Sequence, residues 1–287
     1  MISVVIPVYN QYEELQVLLS ALSEQDLDEK FEVVIVDDAS SLKNKDIIKK
    51  FLCNQRFDLT YIEHPTNRGR AVTRNDGIDA THGDVIVFCD ADRFPERCFL
   101  TQHKECLQLH SHAISVGCVR ETYEPVRSII SNKKVPARKA FYYKVIENLF
   151  DENGETDSAI RWIATLSGNM AITRIQLGDE RFDGSFSEWG FEHFELGYRL
   201  VKNNTDIVLC RSAKNTHIAH ERVNLDYGEN IRKSHDLFYQ KHKFNDVRLL
   251  RNFILGEISL QCYETQVGGK RKWMIGKKEI YNHILRM

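Results

Sequence analysis

The stretch DVIVFCDADRF, residues 84–94, decides the fold. Val85 to Cys89 are all apolar, too short a run for a helix and without the alternation of a strand wetted on one face. Such a run reads as a strand buried on both sides. It ends in two carboxylates, Asp90 and Asp92, one residue apart. Carboxylates at the end of a buried strand cost stability unless something pairs with them.

The same pattern repeats outward from this point. ISVVIPV (2–8), EVVIVDD (32–38), DLTYIEH (58–64) and AISVGCV (113–119) read as further strands. Helices are expected between them. Asn10, with Glu13 three residues on, suggests an N-cap for a helix carrying Leu15, Leu18, Leu19 and Leu22. Residues 44–52 and 70–81 form two more, and Pro95 opens another that carries Phe99, Leu100, Cys106 and Leu107. Buried strands alternating with helices imply βαβ units and a mostly parallel sheet with helices on both faces. Later in the chain SGNMAIT (167–173), DIVLC (206–210) and KNTHIAH (214–220) read as strands and 189–203 as a helix. From Asn224 the chain reads as mostly helical. The basic, aromatic stretch 131–144 reads as a solvated segment or as a flap over a site.

Polar residues gather at the strand ends. Tyr9 and Asn10 follow the first strand, Asp37 and Asp38 end the second, and Asp90 and Asp92 end the fourth. In a parallel sheet these ends share one edge, the edge where open α/β sheets bind ligands. In extended backbone, residues i and i+2 point the same way, so Asp90 and Asp92 are expected to face one site together. Two close carboxylates favour a cation, and oxygen ligands suit Mg²⁺ or Mn²⁺.

The whole chain narrows the classes. Its 287 residues suffice for one large domain with an appendage, and a net charge of −2 offers no field for nucleic acid. Seven cysteines without CxxC spacing read as reduced thiols of a cytoplasmic protein. The opening stretch reads as a strand rather than a signal peptide. No apolar run approaches the roughly 20 residues that span a bilayer. Any membrane contact is therefore expected to be peripheral. The basic C-terminal stretch 270–287 is a candidate for such contact, for self-association, or for plain packing. A dinucleotide-binding enzyme would need GxGxxG after the first strand, and PVYNQYEEL has no glycine.

Five segments then appear in order: VVIPVYNQYEELQVLLSAL (4–22), VVIVDDAS (33–40), NRGRAVTRNDGIDATHGDVIVFCDAD (67–92), SGNMAIT (167–173) and WGFEHFEL (189–196). Together they resemble the inverting, family 2 type of glycosyltransferase with the GT-A fold. The likeness runs from residue 2 to about 220. It implies a Rossmann-like α/β sheet, with a glycosyltransferase domain over 1–222 and a helical extension over 223–287. The domain would divide into a nucleotide-sugar half, 1–120, and an acceptor half, 121–222.

The resemblance also implies roles. Pro7, Tyr9 and Asn10 would cradle the nucleotide, and Asp38 would hold the base. Asn67, Arg74 and Asn75 would serve base and phosphates. In the DxD motif Asp90-Ala91-Asp92, Asp90 would contact the ribose and Asp92 the metal, Mn²⁺ or Mg²⁺. His220, or else His217, would complete the metal site. Gly168, Asn169 and Trp189 would lie on the acceptor side.

The family's catalytic base is the aspartate of WGxED, and here His193 occupies that position after Glu192. A histidine's ordinary pKa of about 6.5 suits a base, so His193 and Glu192 are both candidates. The implied activity is metal-dependent transfer from a nucleoside-diphosphate sugar, by family habit a UDP-sugar, through one inverting displacement. The acceptor, whether glycan, lipid carrier, peptide or small natural product, is not legible. The altered motif leaves a second reading, a sugar-nucleotide-binding protein or partner subunit impaired in transfer.

Overall fold

The computed structural model describes residues 1–41, 45–52, 56–131, 135–187, 190–219, 227–271, 273 and 278–282. Nine strands form one sheet: β1 (Ile2–Val8), β2 (Phe31–Asp37), β3 (Phe57–Glu63), β4 (Val85–Phe88), β5 (Arg93–Pro95), β6 (Ala113–Thr122), β7 (Arg138–Lys139), β8 (Met170–Thr173) and β9 (Asp206–Ile218). Helices up to the basic, aromatic stretch are α1 (Tyr12–Ser23), α2 (Lys45–Phe51), α3 (Arg70–Asp79), α4 (Phe99–Leu109), α5 (Val126–Ser131) and α6 (Phe141–Ile146). The others are α7 (Arg174–Leu177), α8 (Glu192–Lys202), α9 (Tyr227–His242), α10 (Asn245–Ile254) and α11 (Leu260–Gln266).

The strand order is β3-β2-β1-β4-β8-β6-β9-β5, with β7 beside β6. Strands β1 to β4 pair in parallel, β8 lies antiparallel between β4 and β6, and β6 and β9 are parallel. The carboxyl ends of β1, β2, β4, β6 and β9 therefore share one edge, and the start of β8 meets them there. Alternate residues feed two cores, as the period of a strand requires. Val4, Ile6, Val33 and Val87 meet Leu15 and Leu18 of α1 and Phe99 and Leu100 of α4. Val5, Ile86 and Phe88 meet Ala71 and Ile78 of α3. The second core extends through Trp162 and Tyr198 to Phe238, Phe253 and Tyr263 of the C-terminal helices.

Pairing of β1 with β4 stops at Val5 and Phe88, whereas pairing with β2 continues to Val8 and Asp37. Pro7, buried in β1, lies past the point where β4 departs, so its missing N–H costs no bond on that side. The divergence opens a crevice at the shared edge.

Several expectations need correction. Asn10 does not cap α1. Gln11 holds the cap position without a side-chain bond, and the Asn10 side chain turns toward the β2 loop instead. Pro95 ends the short strand β5, and α4 begins only at Phe99. The two late strands are one, β9, because its register against β6 shifts between Gly117 and Cys118 and residues 211–213 bulge out of the ladder. Part of the segment 131–144 is neither solvated nor a flap, since Tyr143 is buried and the Tyr142 hydroxyl donates to the Ile163 carbonyl at 2.9 Å. Trp273 and Ile280 from the basic tail pack against the second core. Among the described residues no helix is long and apolar enough to cross a membrane.

Candidate active site

The first wall of the crevice is two stapled loops. Asn10 adopts the left-handed backbone (φ 54°), and its Oδ1 accepts from the Ser41 amide and hydroxyl, both at 2.9 Å. Tyr9 stands half exposed beside it. Asp38 is buried, and its carboxylate is already occupied. It accepts from the Arg68 amide at 2.7 Å and the Gly69 amide at 2.9 Å, and lies 2.8 Å from His64 Nδ1. Asn67 Nδ2 donates to the Asp38 carbonyl at 3.3 Å. Asp38 and Asn67 thus fix the turn that enters α3. Asn75 clasps the backbone of Phe182, donating to its carbonyl at 2.7 Å and accepting from its amide at 2.9 Å. That contact ties α3 to the loop that precedes α8.

The DxD motif is a turn, not extended chain. The Arg93 amide donates to the Asp90 carbonyl at 3.1 Å, so Asp90 and Asp92 take different partners. Asp92 Oδ2 accepts from Gln11 Nε2 at 3.2 Å and lies 3.4 Å from His217 Nε2. Asp90 Oδ1 accepts from Arg74 Nη2 at 2.8 Å, and its Oδ2 is 3.5 Å from Arg93 Nε. Burial pushes the Asp90 pKa up, but Arg74 and Arg93 hold it net below the usual range. Ala91 is buried between the two carboxylates.

Arg74 carries the connection across the crevice. It is 2% exposed, and its Nη1 donates to Glu192 Oε1 at 2.9 Å. One guanidinium therefore joins the DxD turn to the first residue of α8. Burial raises the Glu192 pKa, and His193 at 3.9 Å together with Arg74 overcomes this and holds it far below the carboxylate range. A carboxylate so placed is a poor proton acceptor. His193, next along α8, is partly exposed and rests on the Phe194 ring with centroids 4.2 Å apart. Gly190 and Phe191 enter α8 in left-handed backbone, with φ of 79° and 75°. For a buried phenylalanine that conformation is strained, and it sets the angle at which Glu192 and His193 leave the loop.

Of the predicted acceptor residues, Gly168 faces the crevice and Asn169 does not. Asn169 is fully buried behind it. Its Nδ2 donates to the carbonyls of Cys118 and Ala213, both at 3.2 Å, and its Oδ1 faces His103 Nε2 at 3.0 Å. Burial pushes the His103 pKa down to about 4, so the ring is neutral. Asn169 Oδ1 is an acceptor, so Nε2 carries the proton and Nδ1 accepts from Ser115. The Ala213 carbonyl belongs to the β9 bulge, so Asn169 satisfies a group that the ladder leaves out. Asn169→Ala would remove a hydrogen bond from two buried carbonyls and from a buried ring N–H. A loss of about 3 kcal/mol is expected in denaturant unfolding. An unchanged midpoint would contradict this role.

Trp189 and His220 lie outside the described residues. Among the described residues no group of three or more acidic, histidine or cysteine side chains could hold a metal. The available pair is Asp92 and His217, an oxygen and a nitrogen donor of the kind Mn²⁺ accepts. Sequence reasoning missed Gln11, His64 and Arg93. Gln11 and Arg93 were signalled by their places directly after Asn10 and Asp92, whereas His64 carried no local signal.

Comparison with known proteins bears on this arrangement. An uncharacterized glycosyltransferase of Bacillus subtilis, YfnE, is 24% identical over 285 residues, which cover 86% of this chain and 71% of that one. Chondroitin synthase of Escherichia coli is 25% identical over 70% of this chain, but only 32% of the synthase is matched. Among solved structures, S. aureus TarS 1–349 in complex with UDP-GlcNAc has a TM-score of 0.61 at 20% identity, covering 89% of this chain and 70% of that one. The mannosyltransferase PcManGT of Pyrobaculum calidifontis, in complex with GDP-Man and Mn²⁺, has a TM-score of 0.59 at 18% identity, covering 84% and 63%. The profile of glycosyl transferase family 2 matches residues 3–171, which take in both stapled loops and the DxD turn, and the chain belongs to that family, a glycosyltransferase of the GT-A fold.

Proposed function

We propose that the protein moves a sugar from a nucleoside-diphosphate sugar, most simply a UDP-sugar, to an acceptor hydroxyl by one inverting displacement. The observation that carries this reading is that the Asp92–His217 pair and the chain of ion pairs from Asp90 through Arg74 to Glu192 and His193 start from one turn at the sheet edge. The UDP-GlcNAc complex of TarS and the GDP-Man and Mn²⁺ complex of PcManGT, on the same fold, support a nucleotide-sugar donor and a divalent cation.

In this reading the β1 and β2 loops present Tyr9 and Asn10 to the nucleotide, above a turn that Asp38 and Asn67 hold in place. Asp92 and His217 are the residues that would hold Mn²⁺ or Mg²⁺, which when bound neutralises charge on the leaving diphosphate. Gly168 and Trp189 belong to the acceptor side. His193 takes the proton of the acceptor hydroxyl as its oxygen bonds to the anomeric carbon. The bond from that carbon to the diphosphate oxygen breaks, and the electron pair leaves with the nucleoside diphosphate. Glu192, engaged by Arg74, orients the start of α8 and does not accept the proton.

Thermal unfolding with UDP or GDP, each with and without Mn²⁺, tests the donor site. Ligand at a hundred times its dissociation constant adds about 2.7 kcal/mol, roughly a 5–10 °C rise for a chain of this size. A rise with one nucleotide is expected, dependent on Mn²⁺ and absent in Asp92→Ala. No rise with either nucleotide would count against the reading.

A further inference from the structure

Arg93 has two guanidinium N–H groups to which no described residue supplies an acceptor. Its backbone follows the DxD turn into β5, where it pairs with His217 of β9. Its side chain is 16% exposed and lies across Gly168. A Cβ at position 168 would collide with Arg93 Nε and stand 2.5 Å from Asp90 Oδ2. Glycine is therefore required there for the Arg93 side chain to lie where it does. Arg93 Nε is in ion-pair range of Asp90 Oδ2 at 3.5 Å but makes no hydrogen bond to it. Nε and Nη1 are both enclosed, and neither has a hydrogen-bond partner among the described residues. Enclosed guanidinium N–H groups without acceptors are costly, and a water, an ion or a ligand is what supplies the acceptor in native structures that keep them.

Asp90 accounts for this arginine only in part. Its Oδ1 is hydrogen-bonded to Arg74 at 2.8 Å, which it shares with Glu192, and its Oδ2 attracts Arg93 as an ion pair without accepting a hydrogen bond from Nε. The guanidinium sits one residue beyond Asp92 and opposite His217 in the sheet register.

We propose that Arg93 binds the diphosphate of the donor and stabilises the charge that develops on it as the glycosidic bond breaks. The proposal rests on the donor reading above. It assigns to this chain an arginine directly after the DxD motif as a direct ligand of the leaving group. The side chain is 16% exposed, and a turn of its guanidinium toward an oxyanion in the crevice would give its N–H groups the acceptors they lack; guanidinium–phosphate bonds are among the stronger charge-assisted contacts. The same geometry makes Gly168 a supporting element of the donor site as well as of the acceptor side.

The test is calorimetric titration of the full chain with UDP, UMP and uridine, in the presence of Mn²⁺. Arg93→Gln is expected to weaken UDP about 10–100-fold, the scale of a lost charge-assisted contact. UMP should weaken less, and uridine not at all. Arg93→Lys should recover part of the UDP affinity. Gly168→Ala displaces the guanidinium without removing it, and should weaken UDP while sparing uridine. It keeps the proposal testable if Arg93→Gln does not fold. Unchanged UDP affinity in Arg93→Gln overturns the proposal. So does an equal loss for UDP and uridine, which would report a collapsed site. Unchanged UDP affinity with a raised KM for the acceptor would overturn it in favour of an acceptor anion. Native protein that binds none of UDP, GDP, CDP or dTDP would overturn the donor reading, and this proposal with it.

Discussion

Arg74→Met is expected to destabilise the protein by about 3–5 kcal/mol, the range for removing one partner of a buried ion pair. Arg74 is 2% exposed and bonded to both Asp90 and Glu192, so the variant leaves two carboxylates facing each other's vacated partner. At about 2–4 °C per kcal/mol, the melting temperature should fall by roughly 6–20 °C near neutral pH. The pH dependence identifies the cause. In the native protein both carboxylates have pKa values below their unfolded values. Their contribution is fully present above about pH 4.5 and is lost as pH falls through the folded values. In Arg74→Met, Asp90 loses the largest charge that opposes its burial and Glu192 keeps only His193 and Arg70, so both pKa values rise from their native positions. The stability that the two carboxylates contribute above about pH 4.5 should then be smaller in that variant. The gap between native and variant melting temperatures should therefore be wide from pH 7 down to about pH 4.5 and should narrow as pH falls further, through the folded pKa values. A second substitution, Glu192→Gln, should recover part of the loss at pH 7. A gap independent of pH would mean that Arg74 acts through packing, for which its stacking 5.4 Å from the centre of the Phe182 ring is the available contact.

The second large effect concerns transfer rather than stability. His193→Ala should lower kcat by about 10²–10⁴-fold, the usual contribution of a general base, and leave UDP affinity unchanged. His193→Asp, which restores a carboxylate at that place, should retain part of the rate. Glu192→Gln is predicted to act mainly on stability, because Glu192 is tied to Arg74 and its pKa is already held low. The comparison is made at saturating donor with both variants folded. If Glu192→Gln abolished transfer and His193→Ala did not, Glu192 would be the base, and the Arg74 contact would have to open during turnover. Full transfer in both would remove α8 from the proton-transfer step.

The helix that carries these residues is held from behind as well. Arg199 bonds Glu195 at 2.8 and 2.9 Å, and His242 of α9 approaches Glu195 at 3.0 Å. Thr165 donates to the His193 carbonyl at 3.0 Å. Trp162 and Tyr198 both pack edge-on against Phe238 of α9, at 5.7 and 5.6 Å. The C-terminal helices thus set the position of α8 through polar contacts and aromatic packing together.

Sequence alone determined what depends on local periodicity. β1 and β2 were legible to within a residue or so, because strands buried on both faces must be apolar throughout, and Asp38, Asp90 and Asp92 marked the common edge. What depends on meetings between distant segments was decided only by the tertiary structure. Arg74 and Glu192 are 118 residues apart, and nothing in either neighbourhood announces the contact. Asn169 sits in a motif that suggests an acceptor loop, yet it answers a carbonyl freed by a bulge 44 residues away. Asn10 has the composition of a helix cap, but its left-handed backbone sends the side chain to Ser41 on the neighbouring loop. The DxD turn differs from an extended pair by one backbone hydrogen bond, from Arg93 to Asp90. Side-chain period fixes which face of an element is buried. It does not fix which polar group on another element will satisfy the atoms that the element leaves over, because that depends on where the whole sheet brings them.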